Sequence, residues 1–295
     1  MSLPRRVLPG TTYLVTRRCI GRRFLLRPDR TVNNLFVYCL AIAANRFGVE
    51  VHAFSVMSNH YHLVATDVRG VLPDFMASLN RALAMSIKLI RDWDEVVWEP
   101  NVQYSAIALG GPSEFLDKIA YAILNPVGAG LVRSPEHWPG ALSTLAVLAE
   151  GEVRARRPAV WFKKTSAERV ALRVSVPPGF ASHGSYVAAI RRLVTGRQAQ
   201  VRAALRREGR GFLGRNGVRR TPVTARPSSA KQRPGRSPTF SALTRERWLA
   251  ALKGLRAFRL AYREAYTAWR NGSRDVEFPS GTWWVVRCAG ATVAT

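Results

Sequence analysis

Two histidines separated by one residue, His60 and His62 in the run Met57-Ser58-Asn59-His60-Tyr61-His62-Leu63, concentrate metal-ligating nitrogen in a chain that has only five histidines. In an extended strand, residues i and i+2 face the same way with Cα atoms about 6.5–7 Å apart. The two imidazoles then project from one face and reach a single ion, while Tyr61 and Leu63 point the other way and anchor the strand to a helix layer. Two solvated histidines give the same spacing, so spacing alone leaves both readings open. A second constellation lies downstream. Asp117, Tyr121 and Asn125 recur every four residues and share one face of a helix, where a phenol and an amide one turn apart can address the same target. A packed helix tyrosine, with Asn125 capping the helix ahead of Pro126, accounts for that pattern equally well.

Positioning these groups requires a sheet and helices. Thr11–Thr16, rich in β-branched and aromatic residues, reads as a first strand, followed by a basic connection from Arg17 to Arg23. Pro28 and Asp29 start a helix in which Val32, Leu35, Cys39 and Ile42 recur at helical spacing, and Gly48 stops it. Val49–Val56 and His60–Thr66 read as strands. Only Met57-Ser58-Asn59 separates them, which suits a hairpin and is too short for a parallel crossover. Met76, Leu79, Leu83, Ile87 and Ile90 mark an amphipathic helix from Pro73, Val102–Leu109 a further strand, and Glu114–Leu124 a helix that Pro126 is expected to stop. This order predicts an α+β fold, an antiparallel sheet with helices packed on it.

Beyond Leu148 the character changes. Residues 149–240 read as a basic extension with a Pro-, Ser- and Arg-rich linker near 221–237, and 241–295 as a helix from about Thr244 to Arg270 with a short aromatic segment after it. Residues 1–148 then form the unit that carries both constellations and is expected to be the catalytic domain. The chain has 45 Lys plus Arg against 19 Asp plus Glu, a net charge of +26 and a pI near 11.4. Such a charge attracts polyanions, and counterion release from phosphates makes nucleic acid the expected partner. No basic amphipathic helix beside a long apolar anchor supports the alternative of a membrane surface. Cys19, Cys39 and Cys288 offer neither a disulfide framework nor a paired-cysteine metal knuckle. With no apolar leader at the start, these features lead to an expected cytoplasmic location and no membrane partner.

The motifs converge on one family. Met57–Leu63 (MSNHYHL) resembles the histidine-hydrophobic-histidine signature of the IS200-like single-tyrosine HUH transposases, especially the REP-associated tyrosine transposases. Tyr121–Val132 (YAILNPVGAGLV) resembles their tyrosine-bearing helix and the segment after it, and Leu8–Arg18 (LPGTTYLVTRR) their opening strand, with Leu14 where many members carry histidine. The resemblance spans roughly residues 5–140 and does not reach the basic extension.

It implies a ferredoxin-like sheet and a transposase that cleaves and rejoins single-stranded or hairpin DNA through a 5′-phosphotyrosine on Tyr121. His60 and His62, with Asn125 as third ligand through its amide oxygen, would hold a divalent ion, and two nitrogens with oxygen and water suit Mg²⁺ or Mn²⁺. A phenol with a pKa near 10 needs help from that ion or from a cation such as Lys118, which is otherwise a solvated lysine. Arg17, Arg18, Arg22 and Arg23 are candidate phosphate contacts or plain surface charge. Trp98, Trp138, Trp283 and Trp284 either stack on bases or fill core. Relatives place the tyrosine helix on its own subunit or on a partner's, so a homodimer is one arrangement. The competing functions are a domesticated, non-catalytic DNA-binding protein of the same fold, and a replication-initiator or relaxase nickase.

Overall fold

The computed structural model describes residues 4–100, 103–228 and 238–294. β1 (Thr11–Arg18) leads through a 3-10 turn at Ile20–Arg22 to α1 (Arg30–Phe47). β2 (Val49–Val56) and β3 (His60–Asp67) follow as a hairpin, then α2 (Leu72–Arg91), β4 (Ser105–Leu109) and α3 (Pro112–Gly128). The sheet order is β2-β3-β1-β4, antiparallel at each junction. With its β-α-β-β-α-β succession this is the ferredoxin-like arrangement.

Local chemistry explains the boundaries. The Asp29 carboxylate caps α1 by accepting from the Val32 amide at 2.8 Å and also pairs with Arg91 at 2.7 Å. Gly48 ends α1 at φ 67°, a left-handed conformation that glycine adopts without Cβ strain. β1 runs two residues further than its β-branched core predicts, so Arg17 and Arg18 belong to the strand and not to the connection after it. Pro126 does not stop α3, which continues to Gly128. Placed in the last turn, the proline forfeits one amide bond, and the next turn still closes through the Ala129 amide to the Asn125 carbonyl at 3.0 Å.

The strand period sorts the sheet into two faces. Tyr61 and Leu63 lie on the face covered by α1 and α2. There the Tyr61 ring meets Phe36 edge-on at 5.2 Å, and its hydroxyl donates to Asn80 Oδ1 at 2.7 Å. His60 and His62 lie on the opposite face, against which α3 packs. A bulge between Val51 and Ala53 turns His52 into the interior. There its Nδ1–H donates to the Ser175 carbonyl at 2.9 Å, and Thr66 Oγ1–H donates to its Nε2 at 2.7 Å. The Thr12 hydroxyl extends this chain at 2.7 Å from that of Thr66.

The later chain returns to the same core. A hairpin of β5 (Glu152–Arg156) and β6 (Arg169–Arg173) packs on α1, and α5 (His183–Arg207) packs on α3. Leu172, Tyr186, Ile190 and Val194 join the buried cluster built by the first 148 residues. α6 (Gly214–Arg220) precedes β7 (Phe240–Ser241), which adds to β4 in parallel and makes a fifth strand. On the other edge of the sheet, Ser143 N–H donates to the Phe54 carbonyl at 2.9 Å and Ser175 N–H to the Val51 carbonyl at 2.8 Å. The long helix expected near the C-terminus is α7 (Arg245–Arg270), capped by Thr244; β8 (Glu277–Phe278), α8 (Trp284–Ala289) and β9 (Thr292–Val293) follow. Of the expected linker, residues 229–237 lie outside the described residues, whereas 221–228 run against the loop after β1, with Arg23 donating to the Thr224 carbonyl at 2.8 Å.

Candidate active site

β3 turns His60 and His62 out on one face, and the pairing of β1 sets Arg18 opposite His60 and Thr16 opposite His62. The two imidazoles approach Nε2 to Nε2 at 3.1 Å, with ring planes steeply inclined. Their far nitrogens are held from behind. The Asn59 amide donates through Nδ2 to the Arg22 carbonyl at 3.3 Å, so its Oδ1 faces His60 and accepts from Nδ1–H at 2.6 Å. A proton on Nδ1 leaves the Nε2 of a neutral His60 as a lone pair. For His62, Nδ1 lies 2.8 Å from the Thr16 hydroxyl, and Asn125 Nδ2–H donates to Nε2 at 3.2 Å. That ring too presents Nε2 as a lone pair.

Two facing lone pairs repel unless a proton or cation lies between them. Ligands about 2.0–2.2 Å from a shared ion and at right angles to one another stand about 3 Å apart, close to the separation seen. Burial, with the His62 ring and the Arg18 charge adding to it, pushes His60 well below the ordinary histidine range. Burial first, then Arg18, pushes His62 down to about 4. Both rings are therefore neutral at pH 7, the form that ligates metals. Orientation of each ring by a hydrogen bond at its far nitrogen is the arrangement that fixes ligating histidines. Asn125 turns its amide nitrogen toward His62, so ligation through oxygen requires that amide to rotate by half a turn. Among the described residues, no group of three His, Cys, Asp or Glu side chains forms a metal cluster.

α3 lays Tyr121 across this pair. Its ring meets His62 edge-on at 5.1 Å, and the residue keeps 46% of its surface exposed. Burial of the phenol raises its pKa, and the Asn125 side chain and the Arg18 charge oppose that shift. One turn earlier, Asp117 pairs with Lys118 at 2.9 Å and with Arg197 of α5 at 2.7 Å. Burial raises the Asp117 carboxyl, but these two cations outweigh it and hold the group below its ordinary range. Lys118 thus sits on the tyrosine helix itself, already engaged by a carboxylate. At the start of α3 the buried Glu114 carboxylate accepts from Arg247 at 3.2 Å and from the Leu243 amide at 2.9 Å, which ties the helix to the C-terminal segment.

His60, His62, Tyr121, Asn125 and Arg18 therefore come together on one face. Arg17 falls on the other face with Tyr61 and packs over Trp98 at 5.7 Å. Arg22 and Arg23 lie in the loop beyond β1, and Arg23 stacks over Trp93 at 5.4 Å. Trp98 and Trp138 are buried, their indole N–H groups donating to the carbonyls of Asn80 and Val56 at 2.9 and 3.0 Å, while Trp284 is exposed. Thr16 and Asn59 orient the imidazoles but carry no motif signal of their own; the one hint is that Asn59 adjoins His60 in the hairpin. Thr16 becomes visible only through strand register.

No protein-family profile matches the chain, and no curated protein does. Among solved structures, the chain is similar to a protein assigned as a transposase in Deinococcus radiodurans R1. The TM-score is 0.30 at 22% identity, covering 42% of this chain and 97% of that one. It is also similar to a REP-associated tyrosine transposase bound to a REP hairpin, at TM-score 0.43 and 19% identity, covering 57% of this chain and 94% of that one.

Proposed function

We propose that this chain is a transposase that cleaves and rejoins single-stranded DNA through a covalent tyrosine intermediate. The observation that carries the reading is the pair of imidazole Nε2 atoms 3.1 Å apart beneath the half-exposed Tyr121 ring, 5.1 Å from His62. The motif resemblance and the charge of +26 support the same reading.

In this scheme the Tyr121 oxygen forms a bond to phosphorus and gives up its proton. The 3′ oxygen leaves and takes a proton, and the 5′ phosphate stays on the tyrosine. The intermediate keeps the energy of the phosphodiester, so attack by another 3′ hydroxyl reverses the step and rejoins strands. Arg18 neutralises the phosphate and eases ionisation of the phenol, and Asn125 steadies the phenol from one turn away. His60 and His62, joined by Asn125 after rotation of its amide, would hold a Mg²⁺ or Mn²⁺ ion. Such an ion supplies Lewis-acid polarisation of the scissile phosphate. Thr16 and Asn59 keep both imidazoles aimed. Lys118 contributes positive potential only to the extent that Asp117 releases it. Hairpin-forming ends are the proposed substrates, and tyrosine and histidines of one chain already face each other, so the chemistry does not require a homodimer. Among the described residues no helix is long and apolar enough to cross a membrane.

The test is incubation with single-stranded oligonucleotides from the ends of the gene, with Mg²⁺ or Mn²⁺, followed by a search for protein linked to a 5′ phosphate. Tyr121→Phe should bind DNA and form no adduct, and His60→Ala should lose metal-dependent cleavage. An adduct from Tyr121→Phe would eliminate the nucleophile assignment, and full activity from His60→Ala would eliminate the metal site.

A further inference from the structure

Residues 208–226 cross from the end of the tyrosine helix to the loop after β1, and their course is fixed at both ends. Leu213 N–H donates to the Gly130 carbonyl at 3.0 Å and Gly214 N–H to that of Leu131 at 2.9 Å, just beyond α3. At the other end Phe24 N–H donates to the Ala225 carbonyl at 3.2 Å and Arg27 to that of Thr221 at 3.2 Å. Between these anchors Val218 of α6 is buried with Met57, Val132, Trp138 and Leu142. Met57 opens the hairpin turn that delivers His60, and its amide donates to the His60 carbonyl at 2.8 Å. The segment therefore wraps the hairpin end of the site, and the Arg226 guanidinium comes to rest over Gly21, beside Arg22.

The charge along this path is one-sided. It carries Arg210, Arg215, Arg219, Arg220 and Arg226 against Glu208 alone, and Glu208 is taken by Arg210 at 3.1 Å. Arg215, Arg219 and Arg220 are exposed, and among the described residues no acidic side chain pairs with them. α6 has little reason to be helical by itself. It is seven residues long, contains Gly214 and Gly217, and sets Arg215 and Arg219 one turn apart, where like charges repel. Main-chain bonds and the Val218 anchor hold that repulsion in place against the hairpin turn that leads to His60. A polyanion relieves it, since exposed guanidiniums on a fixed backbone pair with phosphates.

We propose that residues 208–226 form a phosphate-binding rail, with Arg215, Arg219 and Arg220 as its contacts, that holds the single-stranded DNA flank next to the site. Its placement beside a nicking centre rests on the function proposed above, whereas the binding itself does not. The test uses the full chain carrying Tyr121→Phe, without metal, and a fluorescent oligodeoxythymidine of about 20 nucleotides. Anisotropy is read from ~0.05 to ~0.3 M salt. Replacing the three arginines with glutamine should flatten the slope of log K against log salt by about 2 and weaken binding about a hundredfold near ~0.1 M. The corresponding triple lysine variant should keep the slope. Arg256→Gln, Arg263→Gln and Arg270→Gln on α7, with the same change in net charge, should also keep it. An unchanged slope in the glutamine variant overturns the rail. Equal loss in the α7 control, or in the lysine variant, also overturns it, since the effect is then general charge or local folding. In the Tyr121 chain, the glutamine variant should require more DNA to reach half-maximal adduct, with the rate at saturation retained. If no adduct forms with any substrate, the nicking reading fails while the salt slope still decides the rail.

Discussion

His52 offers a quantitative test of the packing behind the site. It is buried, and burial pushes it down to about 4, with the hydrogen bond to the Ser175 carbonyl opposing the shift. In the unfolded chain the same imidazole titrates near ~6.5. Between these values the unfolded state binds a proton that the folded state refuses, so stability rises with pH across the window and is lost as pH falls through it. The penalty from this residue alone is about 2 kcal/mol at pH 5 and about 3 kcal/mol at pH 4, relative to pH 7. His52→Gln keeps a polar group in the bulge and removes the titration. Urea unfolding of both proteins at a series of pH values isolates His52, because His60 and His62 titrate alike in each. The wild type should lose about 3 kcal/mol more than the variant between pH 7 and pH 4. A difference between the two proteins that does not change with pH would refute the reasoning, since it would mean that His52 takes up its proton in the folded state as readily as in the unfolded one.

Thr16→Val removes the hydrogen-bond partner of His62 Nδ1 without changing the bulk of the side chain. It should weaken Mn²⁺ binding by about 10- to 100-fold, measured by calorimetry, and affinity equal to wild type would show that Thr16 does not orient the ring. Tyr61→Phe strands the Asn80 side-chain oxygen beneath the sheet and should cost about 1–3 kcal/mol in denaturant unfolding; adduct formation per folded molecule should be unchanged, because Tyr61 faces away from the histidines. Asp117→Asn weakens the tie between α3 and Arg197 of α5. Hydrogen exchange in Tyr121 and its neighbours should accelerate, and unchanged protection would show that apolar packing alone fixes the helix.

Much of this was legible in the sequence because local signals and tertiary demands agreed. Asp29 and Gly48 bound α1, the three-residue turn made β2 and β3 a hairpin, and the alternation His60-Tyr61-His62 assigned opposite faces. Other features depend on nonlocal contacts. That Arg18 joins the histidines while Arg17 packs over Trp98 is a matter of register with β3, and a shift by one residue would exchange them. Pro126 reads as a stop, yet one lost bond in a last turn packed on the sheet is affordable. The basic composition after Leu148 reads as a partly flexible extension. Among its apolar residues, Leu172, Tyr186, Ile190 and Val194 are spaced so that they seat on α1 and α3, and charge density conceals them.

The capping of both sheet edges by later segments bears on how the chain is made. A bare strand edge is a template for pairing with other chains. β2 waits for residues 141–143 and 174–175 to emerge, and β4 waits for Thr239–Ser241. At a synthesis rate of ~5–20 residues per second, the edge of β4 stays open on the ribosome for on the order of ten seconds. During that interval the nascent sheet is open to neighbouring nascent chains. Slower initiation or lower temperature should therefore raise the soluble yield of the full chain. A fragment ending near residue 148 keeps the β4 edge open permanently and should partition into aggregates.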